Sequence, residues 1–147
     1  MAAKKSLLVF FIIFITVLID FLSKLFFQNK KFVVFPNLLE ISYARNYGLI
    51  YGFFSKNIIF TIFIPIILLI IFFYFFVYKQ KKPSACIASS FVIAGILGNL
   101  ISRIKDGFVT DFIYVPFLQP VFPNFNIADL VTFIGILVLI YFLIKEK

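Results

Sequence analysis

The 147-residue sequence has no histidine, no tryptophan, a single cysteine and only six acidic residues. Each shortage excludes a chemistry. Without histidine there is no Ser-His or Cys-His catalytic pair. With one cysteine (Cys86) besides, there is no zinc site of the usual ligands and no internal disulfide. Charged residues make up 14% of the chain, where a soluble domain has about 25%. Hydrocarbon fills the gap: 63% of the residues are hydrophobic and the mean hydropathy is +1.13. Such a chain has no polar coat to offer water and belongs in a bilayer. An enzyme built from it works with Asp, Glu, Ser, Thr, Lys, Tyr or Arg, and no metal or cofactor is expected. The length suits one domain over residues 1–147.

Fourteen Lys and Arg residues against six acids give a net charge of +8. These cations punctuate apolar runs, as flanking charges do beside membrane spans, so no nucleic-acid partner is expected. Crossing about 30 Å of hydrocarbon at 1.5 Å per residue takes roughly 20 apolar residues in a helix. Four stretches qualify, at about 6–27, 58–78, 84–104 and 126–144, the second with Pro65 as a tolerable kink. Lys4 and Lys5 before an apolar core resemble a signal peptide, but no small-x-small cleavage site follows, so the first stretch reads as an uncleaved helix.

Four spans put both termini on one side, together with the basic turn Lys79-Gln-Lys-Lys82. Seven Lys and Arg fall on that side and seven on the other, so charge count does not orient the chain; the dense turn leans towards cytoplasmic termini. The opposite side carries two longer connections, 28–57 and 105–125. The first alternates apolar and polar residues in part and suits short strands lying on the membrane. The second contains Pro116, Pro120 and Pro123 and cannot be helical throughout. The expected fold is an all-α membrane protein of four transmembrane helices.

The polar residues converge. Asp20 lies near the far end of the first span, and Asn99 and Arg103 lie one turn apart near the far end of the third. Asp111 follows, and Asn126 and Asp129 open the fourth. An Asp inside a span costs about 2.5–3.5 kcal/mol on insertion scales, so such residues are kept for a reason. Asp111 and Asp129 are 18 residues apart, and a loop that doubles back brings them together. Two close carboxylates in a low-dielectric site share one proton, which is the chemistry of aspartic proteases. The plainer alternative has Asp129 capping the fourth helix and Asp111 solvated. Asp20 and Lys24, four residues apart, form a local ion pair or serve a proton relay. Gly95, Gly98, Asn99 and Ser102 make a small, polar stripe of the kind that packs helices closely. Of the available Ser-Lys pairs, Ser23-Lys24 and Ser55-Lys56 are neighbours in sequence and do not face each other on a helix, whereas Ser102 and Lys105 could meet on one; nothing resembling a soluble serine-peptidase domain follows. Cys86 lies at the other end of the third span and reads as packing. A proton channel or transporter would place its acids at different depths, and a purely structural subunit leaves the cluster unexplained.

The local strings around these residues are familiar. Asp20-Phe-Leu-Ser-Lys24, Asn46-Tyr-Gly48, Gly95-Ile-Leu-Gly98-Asn99-Leu-Ile-Ser-Arg103, Val109-Thr-Asp111-Phe-Ile and Phe122-Pro-Asn-Phe-Asn126-Ile-Ala128-Asp129 fall in order along nearly the whole chain. In these the sequence resembles the lipoprotein signal peptidases (signal peptidase II), integral-membrane aspartic peptidases. The resemblance implies that Asp111 and Asp129 are the catalytic aspartates. It implies that Asn46, Gly48, Asn99, Arg103, Asn126 and Ala128 line or support the site, with Asp20 and Lys24 matching the helix 1 motif. The implied substrate is a bacterial prolipoprotein with a diacylglyceryl-modified cysteine, cut just before that cysteine, and the implied inhibitors are globomycin-type cyclic peptides. Also implied are a monomer in the bacterial cytoplasmic (inner) membrane, with cytoplasmic termini and the active site towards the outer leaflet. In that orientation 28–57 and 105–125 are extracytoplasmic, and 28–57 forms a small β-like cradle with a short surface helix. The chain departs from the family pattern at Ser102, where an Asp is usual. It also carries the bulkier Leu49-Ile-Tyr-Gly-Phe after Gly48 and lacks a Trp before Phe122-Pro123.

Overall fold

The computed structural model describes residues 2–48, 57–75, 82–119 and 121–145. Helix α1 (Ala2–Phe27) leads into strands β1 (Lys31–Phe35) and β2 (Leu39–Asn46). Helices α2 (Ile58–Phe72) and α3 (Pro83–Asp106) follow, then strand β3 (Val109–Tyr114), a short 3-10 turn (Pro116–Leu118) and helix α4 (Ile127–Lys145). Among the described residues, three helical stretches are long and apolar enough to cross a membrane: Ser6–Phe27, Pro83–Asp106 and Ile127–Lys145. The expected second span is a shorter apolar helix as far as it is described. It is capped at its start by Asn57, whose side chain accepts from the Ile59 N–H at 3.1 Å, and it carries Pro65 inside. Positions 76–78 of that expectation lie outside the described residues.

Helix α3 is the axis of the bundle and packs against α1, α2 and α4. Of its most apolar stretch 61% is buried, against 11% in α1 and 17% in α4. Small residues explain the difference. A Cβ on Gly95 would overlap the Ala128 carbonyl oxygen and Thr132 Oγ1, so α4 lies directly on the α3 backbone there. Its buried serines pose no polar burden, because Ser89 and Ser90 donate to the carbonyls of Ala85 (2.7 Å) and Cys86 (2.8 Å). Cys86 is fully buried in this packing. The outward faces of α1, α2 and α4 present Phe, Leu and Ile, as lipid-facing surfaces do.

The fold is mostly helical rather than all-α. The cradle is a three-stranded antiparallel sheet in the order β1-β2-β3, and its third strand comes from the 105–125 connection, not from 28–57 alone. The reason is local. Gly107, at φ +76°, ends α3 in the left-handed conformation and donates its N–H to the Arg103 carbonyl at 3.0 Å. The chain therefore turns straight back as Val109–Tyr114, a β-branched and aromatic run buried at its first four positions. The short surface helix expected within 28–57 has its place in 49–56, outside the described residues; the described part holds β1 and β2.

Candidate active site

Two local devices bring Asp111 and Asp129 together. First, Phe125 pairs with Ile113 through two backbone hydrogen bonds of 2.9 and 3.0 Å, so the loop after β3 folds back along it. That lays Asn126 beside Asp111. Second, Asn126 and Asp129 form a reciprocal cap at the start of α4. The Asn126 side-chain oxygen accepts from the Asp129 N–H (3.0 Å), and the Asp129 carboxylate accepts from the Asn126 N–H (3.1 Å). Asp129 thus does cap its helix, and the same cap fixes it at the site. Asp111 is not solvated: it is 3% exposed.

Asparagine amides hold every carboxylate oxygen of the pair. Asp111 Oδ1 accepts from Asn126 Nδ2 at 2.6 Å and its Oδ2 from Asn46 Nδ2 at 3.0 Å. Asp129 Oδ1 accepts from Asn99 Nδ2 at 2.7 Å, and its Oδ2 takes the backbone bond just described. Asn126 Nδ2 also lies 3.2 Å from Asn99 Oδ1, which makes Asn126 the bridge between the two acids. Burial, and next the neighbouring Asp129 charge, push the Asp111 carboxyl up to about 7; the amide bonds from Asn46 and Asn126 oppose that rise.

A second layer supports the first. Lys24 Nζ donates to Asn99 Oδ1 (2.9 Å) and to Asp20 Oδ2 (2.7 Å), while Asp20 Oδ1 accepts from the Ala128 N–H (2.9 Å). One buried ion pair on α1 thereby grips both α3 and the first turn of α4. Gly98 leaves the room for it, since a Cβ there would sit 2.7 Å from Asp20 Oδ2. On the sheet side Gly48 N–H donates to Asn46 Oδ1 (3.0 Å), and the buried Arg103 donates from Nη2 to the Gly48 carbonyl (2.6 Å). Phe112 stacks on Phe27 with ring centroids 4.7 Å apart, which fastens β3 to the end of α1.

All ten residues singled out in the sequence therefore meet at one end of the bundle. Asp20 and Lys24 form the local ion pair, with the added grip on Asn99 and Ala128. Among the described residues no Ser-Lys pair assembles. Ser23 Oγ donates to the Asp20 carbonyl (2.7 Å), Ser102 Oγ to the Gly98 carbonyl (3.1 Å), and Lys105 faces Asp106 at 3.7 Å. Ser55 lies outside the described residues. What the sequence reading left out is the double duty of Asn126 and the fold-back by Phe125. The first is visible in the string Asn126-x-x-Asp129, a capping-box spacing; the second is one backbone pairing and has no side-chain signature.

The family model for signal peptidase (SPase) II, peptidase family A8, matches residues 12–145. The chain belongs to the signal peptidase II family. It is 35% identical to the lipoprotein signal peptidase of Clostridium tetani over 142 residues, covering 92% of this chain and 91% of that one. It is 37% identical to the lipoprotein signal peptidase of Wigglesworthia glossinidia brevipalpis over 145 residues, covering 93% and 92%. Among solved structures it is similar to a bacterial membrane enzyme determined by the in meso method at 2.3 Å, with a TM-score of 0.85 and 35% identity, covering 94% of this chain and 88% of that one. A second such structure, at 1.9 Å, gives a TM-score of 0.83 and 34% identity, covering 95% and 94%. Signal peptidase II is an aspartic peptidase, and this member is a multi-pass membrane enzyme.

Proposed function

We propose that this signal peptidase II removes the signal peptide from bacterial prolipoproteins carrying a diacylglyceryl-modified cysteine, cutting just before that cysteine, with Asp111 and Asp129 as its catalytic dyad. The observation that carries the reading is Asn126. Its amide donates to Asp111 while its oxygen and backbone N–H hold Asp129, so a single residue ties two carboxylates from separate elements into one unit.

The chemistry follows from that unit. With Asp111 raised to about 7 beside a second carboxylate, the pair holds one shared proton near neutral pH and titrates as a unit. The ionised member takes a proton from water as the water oxygen attacks the scissile carbonyl carbon. The protonated member gives its proton to the carbonyl oxygen. As the tetrahedral diol collapses, one of its hydroxyls returns a proton to the dyad, the C–N bond breaks and the departing amine takes up a proton from the dyad, which is left with one as at the start. Asp20, Lys24, Asn46, Gly48, Asn99, Arg103, Asn126 and Ala128 position the pair and line its surroundings. The site sits at one end of the bundle, where a lipid-bearing substrate arrives laterally from the bilayer. We place the enzyme in the cytoplasmic (inner) membrane as a monomer, with cytoplasmic termini and the site towards the outer leaflet, where globomycin-type cyclic peptides would compete with substrate.

The test is cleavage of a diacylglyceryl-modified prolipoprotein by purified enzyme and by Asp111→Asn and Asp129→Asn, each checked for helical content. Removing one member of a catalytic pair is expected to lower kcat by about 10⁴ or more. If either folded variant still cleaves at the wild-type rate, the dyad is wrong.

A further inference from the structure

A furrow follows the seam between α1 and α3, and its character changes along its length. Its membrane-deep part is an apolar slot of about 230 Å³ between Phe14, Val17, Leu18 and Phe21 of α1 and Gly98 and Ile101 of α3. Phe14 and Leu18 stand at its mouth, 53% and 40% exposed towards lipid. Phe21 and Ile101 also border a polar recess nearer the active-site end, which Lys24, Gln28, Ser102, Lys105, Asp106 and Thr110 complete. From Phe14 to Gln28 the furrow is about 20 Å long at 1.5 Å per residue. One leaflet, half of a bilayer with its headgroups, is about 20–22 Å deep.

The recess holds a cation that is only loosely engaged. Lys24 is bound to Asp20 and Asn99. Lys105 is different: its Nζ lies 3.7 Å from Asp106 and 5.3 Å from the centre of the Phe21 ring, with the side chain 52% exposed. Exposed pairs of that kind hold little energy. Ser102, one turn before Lys105, bonds back to the Gly98 carbonyl at 3.1 Å and brings no negative charge to the recess. Asp20, 1% exposed, lines the slot from below.

We propose that the α1–α3 furrow binds one anionic phospholipid of the leaflet on the active-site side, with its phosphate at Lys105 and one acyl chain in the slot. Three features select this occupant. The furrow has the length of a single leaflet and the same order of polarity, headgroup end over hydrocarbon end. Lys105 is complementary to a phosphate. The slot takes a single hydrocarbon chain, whereas a helix is 10–12 Å across, and its apolar lining offers water no partners. The substrate's diacylglyceryl group fits less well: it has no phosphate for Lys105, and its cysteine belongs at the dyad, beyond the Lys24–Asn99–Asp129 relay of hydrogen bonds. An acyl chain in the slot keeps water from Asp20, so the lipid holds the Asp20–Lys24 pair in the low dielectric where its attraction is strongest.

The test is native mass spectrometry of the full-length enzyme in mild detergent, titrated with phosphatidylglycerol or with phosphatidylcholine of the same chains. One phosphatidylglycerol is expected to be retained about fivefold more tightly than phosphatidylcholine, the scale of one lysine near an anionic headgroup. Lys105→Gln should abolish that preference, and so should Ser102→Asp, which gives Lys105 an acid one turn away. Val17→Phe fills the slot and should weaken both lipids at least about fivefold; Ile101→Phe does the same from α3 should the first fail to fold. Equal retention of the two lipids by the parent overturns the proposal, as does a preference that survives Lys105→Gln or tight retention by the filled slot. A mass of two chains in place of the lipid adduct makes a second copy the occupant and also overturns it. Binding is read here without cleavage, so the result stands apart from the fate of the dyad.

Discussion

Replacing Asp20 by Asn tests whether the ion pair on α1 is the clamp that holds the site. The two side chains are 1% and 6% exposed, and both neighbours of the Asp20 carboxylate are donors: Lys24 Nζ at 2.7 Å and the Ala128 N–H at 2.9 Å. Asparagine has the same shape, but its carboxamide has one oxygen. Whichever donor it satisfies, its NH2 faces the other, and the Lys24 ammonium loses its counter-charge. Removing one partner of a buried pair costs about 3–5 kcal/mol. The double variant Asp20→Asn/Lys24→Met no longer strands a charge, and Asn99 Oδ1 keeps its contact with Asn126 Nδ2 at 3.2 Å. Its cost is expected to fall to about 1–2 kcal/mol, the scale of the hydrogen bonds that remain lost. Unfolding by dodecyl sulfate in mixed micelles, followed by circular dichroism, measures both variants. The reasoning is refuted if the single variant lies within about 0.5 kcal/mol of wild type, or if the double variant is the less stable of the two.

Three further outcomes follow. Asp111 holds its proton more tightly folded, at about 7, than at the ordinary 3.8, so the folded state carries more protons across that window and stability falls as pH rises through it. The Asp111→Asn variant should lose that slope and gain on wild type from pH 4 to pH 7 in the same unfolding assay; parallel curves would contradict the burial argument. Gly95→Ala should cost about 1–3 kcal/mol by forcing α4 off α3, and with it displace Asp129 and lower kcat. Gly107→Ala meets no atom within 4 Å and should cost about 1–2 kcal/mol for its left-handed backbone, with kcat kept near wild type.

Much of this was legible in the chain because the bilayer is a severe editor. Long apolar runs have one use, so α1, α3 and α4 follow from length alone, and every polar residue inside them demands a reason. Asp20, Asn99 and Asp129 stood out for that cause, and they do converge. Strand β3 was hidden for the opposite cause: Val109 to Phe112 are buried at every position, so the run has no alternation to betray a strand, and its three following prolines pointed to irregular structure instead. The strand exists because Gly107 turns the chain back and Arg45 and Asn46 of β2 wait to pair with Thr110 and Val109. Such a pairing is a property of two distant segments, and neither announces it alone. The capping exchange of Asn126 with Asp129 was readable, but as a helix start; that the same amide reaches Asp111 depends on the Phe125 fold-back.

The three asparagines of the site share an orientation with a consequence for turnover. Each has its oxygen tied by an N–H that cannot accept: Gly48 N–H on Asn46, Lys24 on Asn99, Asp129 N–H on Asn126. None can rotate end for end, so each must present its NH2 to a carboxylate, whatever the charge of that carboxylate. An amide also gains and loses no proton in the working range. When an aspartate takes up hydrogen, the newcomer is therefore barred from the directions the amides occupy and is left the lone pairs facing away from them. The frame gives the proton a direction without itself responding to it, so the acid pair can pass through its charge states while the surrounding polar lattice keeps one handedness throughout.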